Sequence, residues 1–211
     1  MNIAFIGHGQ VGAPLADHLQ RAGHHVTLAA KDPASASTAR ALQRNPNLQV
    51  AAPHRAVAGA DVVFLATPFA ANHAALSEVS AELQGKVLVD CTNPVGPAIT
   101  HALGSARSGT ETVQAAAPGA RVVKAFSIYG FENFEDSAYP GHSVRPVMML
   151  CGDDAQAKAT VSSLAGELGW TPLDVGGLAQ ALHLEHMTLL WVRMVRVQGV
   201  SPHTVWGMLQ R

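Results

Sequence analysis

Asn2-Ile-Ala-Phe-Ile6 is an apolar run of the length of one buried strand, and it leads straight into Gly7-His8-Gly9-Gln10-Val11-Gly12. A G-x-G-x-x-G placed between such a strand and a helix that continues through Arg21 leaves few folds open. Gly7 permits a tight turn, Gly9 lets the backbone approach a pyrophosphate, and Gly12 lets the helix pack closely on the strand. The start of that helix offers free N–H groups and the positive end of a dipole to phosphates. The pattern alone is weak, and a vestigial loop would keep the same glycines. Its place in the first β-α-β unit makes dinucleotide binding the expectation.

The rest of the chain repeats the alternation. Strands are expected at His25–Ala29, near Leu48–Ala51, at Asp61–Ala66, Val87–Asp90, Arg121–Ala125, Val147–Cys151 and Trp170–Val175, with helical segments between them. Asp32-Pro33 reads as a helix cap with proline at the first helical position, and a helix is expected from about Ala70 to Gln84. Gly104–Gly109 reads as a surface loop, and the aromatic stretch Phe126–Pro146 as a candidate substrate loop. One long helix from near Leu178 and a short one begun by Ser201-Pro202 end the chain. The expected fold is α/β: a doubly wound parallel sheet in one Rossmann domain over residues 1–211, with a core at 1–176 and C-terminal helices at 177–211. The expected central strand order is 3-2-1-4-5-6, with extra strands at one edge.

Composition removes other classes. Fourteen Lys+Arg against fifteen Asp+Glu give a net charge of -1, so no basic excess exists for a nucleic acid or an anionic membrane surface. Cys91 and Cys151 lie far apart with no CxxC partner, so no zinc site or disulfide framework is expected. The start MNIAFIGHGQ lacks a basic region and a long apolar run, which favours a cytoplasmic protein without a secretory signal.

The second strand ends Ala29-Ala30-Lys31, with a cation where NAD-binding chains usually place an acid for the ribose 2′-OH. Lys31 can meet the 2′-phosphate of NADP(H), whereas Asp32, the alternative partner for NAD, already has a capping role. Leu65-Ala66-Thr67-Pro68 and Asp90-Cys-Thr-Asn93-Pro94-Val-Gly96 end two central strands and should line the cofactor cleft, unless they are ordinary turns. His183, Glu185 and His186 lack H-E-x-x-H spacing and are read as packing or surface residues, not metal ligands. Lys124 is read as a structural strand-end residue, and no general acid or base is assigned. The apolar positions Leu182, Leu189, Leu190, Trp191, Met194 and Val195 of the last long helix suit burial on the sheet together with a homodimer interface.

GHGQVG, LATP, DCTNP, VVKAF, the run Cys151–Lys158 and Pro172-Leu-Asp-Val-Gly176 occur in an order that resembles the coenzyme F-420 (F420)-dependent NADP reductase family. That family is similar to the cytosolic domain of six-transmembrane ferrireductases. The resemblance covers nearly the whole chain. It implies an NADP-dependent oxidoreductase that passes hydride between NADP(H) and a flavin or deazaflavin ring, with F420, FMN or FAD as acceptor. It also implies that Gly7, His8, Gly9, Gln10, Val11 and Gly12 cradle phosphates, that Lys31 meets the 2′-phosphate, and that Ala66, Thr67, Pro68, Asn93 and Pro94 lie on the nicotinamide side. The family's Ser-Arg pair is Ala30-Lys31 here, so one hydroxyl donor is missing, and the Asn that often follows VVKAF is Ser127. A reductase of a small organic substrate, with Lys124 or a C-terminal histidine as proton donor, and a non-catalytic NADP(H) sensor are the competing readings.

Overall fold

The computed structural model describes residues 1–211. Eight strands form a single sheet in the order β3-β2-β1-β4-β5-β6-β7-β8, where β1 is Asn2–Ile6, β2 His25–Ala29, β3 Gln49–Ala51, β4 Val62–Leu65, β5 Val87–Asp90, β6 Arg121–Lys124, β7 Val147–Gly152 and β8 Thr171–Asp174. The first six are mutually parallel in the expected central order. Helices α1 (Gly12–Arg21), α2 (Ala36–Arg44), α3 (Pro53–Ala58), α4 (Asn72–Glu78), α5 (Gly109–Ala116), α6 (Glu132–Glu135), α7 (Ala155–Glu167) and α8 (Ala181–Arg196) complete the chain.

Strand side chains alternate between two faces, and both faces are covered, so the central strands are apolar at nearly every position. Ile3, Phe5, Val62, Phe64 and Val89 pack with Leu15 and Leu19 of α1, Val161 and Leu164 of α7 and Trp191 of α8. Ala4, Ile6, Val63, Leu65 and Leu88 pack on the other face with Val57 of α3, Leu76 of α4 and Val113 of α5. The rings of Phe5 and Phe64 stack at 4.7 Å on the first face, and Phe126 joins them at 5.7 Å from Phe64.

The structure corrects several expectations. β7 runs antiparallel to β6, with Lys124 opposite Cys151, and β8 is parallel to β7, so the sheet is mixed. The connection from Ala125 to Pro146 holds only the four-residue α6, too little helix for a crossover to a parallel strand, and the chain returns antiparallel instead. The first half of that connection, read as a candidate substrate loop, is core: Phe126, Ile128, Tyr129 and Phe134 are buried, whereas most of residues 135–145 are exposed.

Four further differences are local. Ser35, not Asp32, caps α2 by accepting from the Thr38 amide, while Asp32 Oδ1 accepts from Ala34 N in a tight turn. The helix expected to reach Gln84 stops at Glu78 and continues as turns to Gly85. Gly104–Gly109 is a loop only in part, because Ser108 and Glu111 form a capping box that starts α5. Residues 201–211 form no helix; they run back along the sheet edge, where Val147 N donates to Trp206 O at 2.9 Å.

Trp191 anchors both α8 and this tail. It is 1% exposed, and its Nε1 donates to Thr204 O at 2.7 Å. Trp191→Ala should destabilise the protein by about 3–5 kcal/mol, read as a lower urea midpoint. A loss below about 1 kcal/mol would mean that α8 is not part of the core.

Candidate functional site

The parallel strands end at one edge, and the order of connections reverses between β1 and β4, where open α/β sheets form a crevice. The glycine loop closes it from below. Gly7 has φ +91°, and a Cβ there would come within 2.7 Å of the Ala66 carbonyl carbon, so the turn after β1 presses on the end of β4. A Cβ on Gly12 would strike the Gly7 carbonyl, which is why α1 can begin so close to β1. Gly9 differs from both, because a Cβ there meets nothing within 4 Å. Its missing side chain is not needed by the protein's own packing, and Gly9 is exposed, next to His8, which lines the cleft described below. No side chain caps α1, whose N-cap is Val11, so its first amides stay available to an anion.

A cleft of about 440 Å³ continues from this loop and is lined by Gly7, His8, Ala30, Lys31, Ser35, Ser37, Thr67 and Glu78, among others. The structure thus brings together Gly7 and His8 of the glycine loop, Lys31 and Thr67, and adds Ser35, Ser37 and Glu78, to which the sequence assigns no role. His8 Nε2 lies 3.0 Å from Thr38 Oγ1 and 3.3 Å from Ser37 Oγ, while its buried Nδ1 has no partner. Burial holds the His8 pKa below its usual value, so the ring is neutral near pH 7. Ser35, Ser37 and Thr38 supply hydroxyls at this end, where Ala30 supplies none; their signal was the run Ser35-Ala-Ser-Thr38 behind the turn. A larger cleft of about 610 Å³ lies on the α3 side of β1–β3 and shares no residue with the glycine loop.

Further along the edge, a hydrogen-bonded chain joins the loops after β4 and β5. Thr67 Oγ1 donates to Asn72 Oδ1 at 2.8 Å, Asn72 Nδ2 donates to Thr92 Oγ1 at 2.8 Å, and Thr92 Oγ1 donates to Asp90 Oδ1 at 2.7 Å. Asn93 is held by α8: its Nδ2 donates to Ser127 O at 3.1 Å and its Oδ1 accepts from Thr188 Oγ1 at 3.0 Å. One amide hydrogen of Asn93 is left for a ligand. Ala66 and Thr67 are half-buried, Pro68 is exposed and Pro94 is buried; of the four, Thr67 alone lines the cleft. Ser127 Oγ is buried without a partner next to Asn93.

Behind these loops lies a group of buried charges. Lys124 is fully buried; its Nζ donates to Thr92 O and sits 3.4 Å from Asp90 Oδ2 and 3.5 Å from Glu185 Oε1. Glu185 Oε2 accepts from Gly109 N at 3.0 Å and lies 2.8 Å from His101 Nε2, and Thr110 Oγ1 donates to Asp90 Oδ2 at 2.7 Å. The three α8 residues weighed as metal ligands therefore diverge: Glu185 points inward, His186 lies 2.9 Å from Ser105 Oγ, and His183 is exposed. Desolvation pushes the Cys151 thiol up to about 12 and raises Cys91 as well, so neither is a thiolate near neutral pH.

Removing Lys124 would leave Asp90 and Glu185 buried without their shared cation. Lys124→Met should cost about 3–5 kcal/mol of stability, measured by denaturant unfolding. A variant as stable as the parent would show that the carboxylates are neutralised in another way.

A family model described as "NADP oxidoreductase coenzyme F420-dependent" matches residues 2–94. Metalloreductase STEAP3 of Rattus norvegicus is 32% identical over 188 residues, which is 89% of this chain and 36% of that protein. The chain therefore spans about a third of the length of the metalloreductase relatives it matches. The F420-dependent NADP reductase of Methanothermobacter marburgensis is 29% identical, with 92% of each chain covered. A crystal structure of a candidate F420-dependent NADP reductase from Arthrobacter sp. FB24 superimposes with a TM-score of 0.83 at 30% identity, covering 94% of this chain and 95% of that one. No helix here is long and apolar enough to cross a membrane.

Proposed function

Because the chain belongs to the coenzyme F420-dependent NADP oxidoreductase family, we propose that it binds NADP(H) at the glycine-loop crevice and passes hydride between the nicotinamide and a flavin-type ring. The observation that carries this is the glycine loop at an uncapped helix start, whose Gly7 and His8 line a cleft that also holds a lysine and three hydroxyl side chains. The backbone amides at the start of α1 hold the pyrophosphate. Lys31 supplies a positive charge for the 2′-phosphate, while Ser35, Ser37 and His8 offer hydrogen bonds to it. Thr67 and Asn93, each oriented by a neighbour on another element, line the nicotinamide end. Ala66, Pro68 and Pro94 bound the ring there.

NADPH, when bound, supplies the hydride. The chain's part is to hold the ring against the acceptor, which is the main requirement for transfer between two planar rings. No side chain needs to act as an essential acid or base. Lys124 is sealed off by its salt bridges, and His183 lies on the exposed face of α8. The deazaflavin of F420 is the acceptor favoured by the relatives' names, and FMN and FAD share the reactive geometry. A second copy would sit on the outer face of α8, where Leu190 is 53% exposed.

The test is NADPH oxidation with F420, FMN and FAD, together with Gly9→Ala. The parent should oxidise NADPH with at least one of the three rings. Gly9→Ala should lose NADPH binding at an unchanged thermal midpoint, because its Cβ has room in the free protein and none beside a pyrophosphate. A Gly9→Ala protein that binds NADPH like the parent would exclude the cradle. A parent that binds NADPH and reduces no ring would favour the sensor reading.

A further inference from the structure

The adenosine end of the cleft holds a carboxylate that no part of the proposed reaction uses. Glu78 is the last residue of α4, and its Oε2 lies 2.5 Å from Lys31 Nζ, across the opening between the end of β2 and α4. Both residues line the cleft. The Glu78 side chain is 26% exposed and that of Lys31 is 72% exposed, so the carboxylate is the fixed partner and the lysine the mobile one. Ala71, Ala74 and Ala75 share the cleft-facing side with Glu78, at i, i+3, i+4 and i+7. They make a small-residue floor on which Glu78 is the one charged group. Asp32, with Oδ1 already accepting from Ala34 N, is the other acid of the cleft. His8 is neutral, so the free cleft has two carboxylates against one lysine.

A 2′-phosphate entering this space must take Lys31 from Glu78, and its own negative charge then faces an unpaired carboxylate. A ribose 2′-OH meets no such obstacle: it can donate to Glu78 while the ion pair stays closed. We propose that Glu78 is a specificity-determining residue that competes with the 2′-phosphate for Lys31, so that the free protein discriminates between NADPH and NADH less than its lysine alone would allow. The proposal rests on the nucleotide reading above and adds an element that opposes it. Ser35, Ser37 and His8 stay available to the phosphate once Lys31 has moved.

The test is a double-mutant cycle on the full chain, with dissociation constants for NADPH and NADH measured by calorimetry for the parent, Glu78→Gln, Lys31→Ala and the double variant. Glu78→Gln should tighten NADPH about three- to tenfold, as expected for removing one competing and repelling charge in a wet cleft, and should shift NADH by less than about twofold. Lys31→Ala should weaken NADPH, and adding Glu78→Gln to it should gain less than Glu78→Gln gains in the parent, because repulsion remains without the lysine and competition does not. Unchanged or weaker NADPH binding in Glu78→Gln would overturn the proposal. So would an equal gain in the Lys31→Ala background, which would mean simple repulsion without competition. A parent that binds neither nucleotide would overturn the cofactor reading and this proposal with it, whereas a parent that binds both with no Glu78 effect overturns only the proposal.

Discussion

Lys124 is the contact on which the carboxyl edge of the sheet depends. Its ammonium group is shared by Asp90 at the end of β5, the Thr92 carbonyl in the next loop and Glu185 on α8. A buried charge is tolerable only when it is paired and its remaining protons are bonded, and here each partner comes from a different element. Glu185 extends the set by accepting from the amides of Gly109 and Thr110 at the start of α5. One lysine thereby fixes β5, β6, α5 and α8 against each other directly behind the loop that carries Asn93.

The cleft end of the sheet is built by two different means. The glycine loop is positioned largely by sterics, since Gly7 and Gly12 allow β1, α1 and the end of β4 to touch. The loops after β4 and β5 are positioned by polar groups, through Thr67, Asn72, Thr92 and Asp90 in sequence. Helix α8 holds the far end through Thr188, whose hydroxyl lies within hydrogen-bond distance of both Asn93 Oδ1 and Ser127 O. The phosphate end is therefore shaped mainly by absent side chains and the ring end by hydrogen-bonded ones.

The glycine motif, the apolar strands and the cation at Lys31 were legible in the sequence because each rests on local spacing. The buried charge network was not, since His101, Asp90, Lys124 and Glu185 are brought together by the fold across up to 95 positions (90 to 185). One hint was present: Asp90 and Lys124 each end an apolar strand, and the parallel register sets them side by side. The direction of β7 was hidden in the path of the preceding connection, whose aromatic residues had the composition of a core and were read as a loop. The hydroxyls of Ser37 and Thr38 meet His8 across the turn at Asp32, with Ser35 bonded to both, a meeting that no local spacing announces. The S-x-x-E of Ser108–Glu111 was a readable helix start.

The central claim is that two rings meet face to face on this edge and exchange hydride directly. The sharpest measurement is the fate of deuterium in NADPH labelled at nicotinamide C4, with the prochiral positions labelled separately and F420 as acceptor. Direct transfer moves one label, from one face only, onto C5 of the reduced deazaflavin, where it is retained, while the accompanying proton at N1 comes from water. Label found in the solvent, or taken from both faces, would contradict the account.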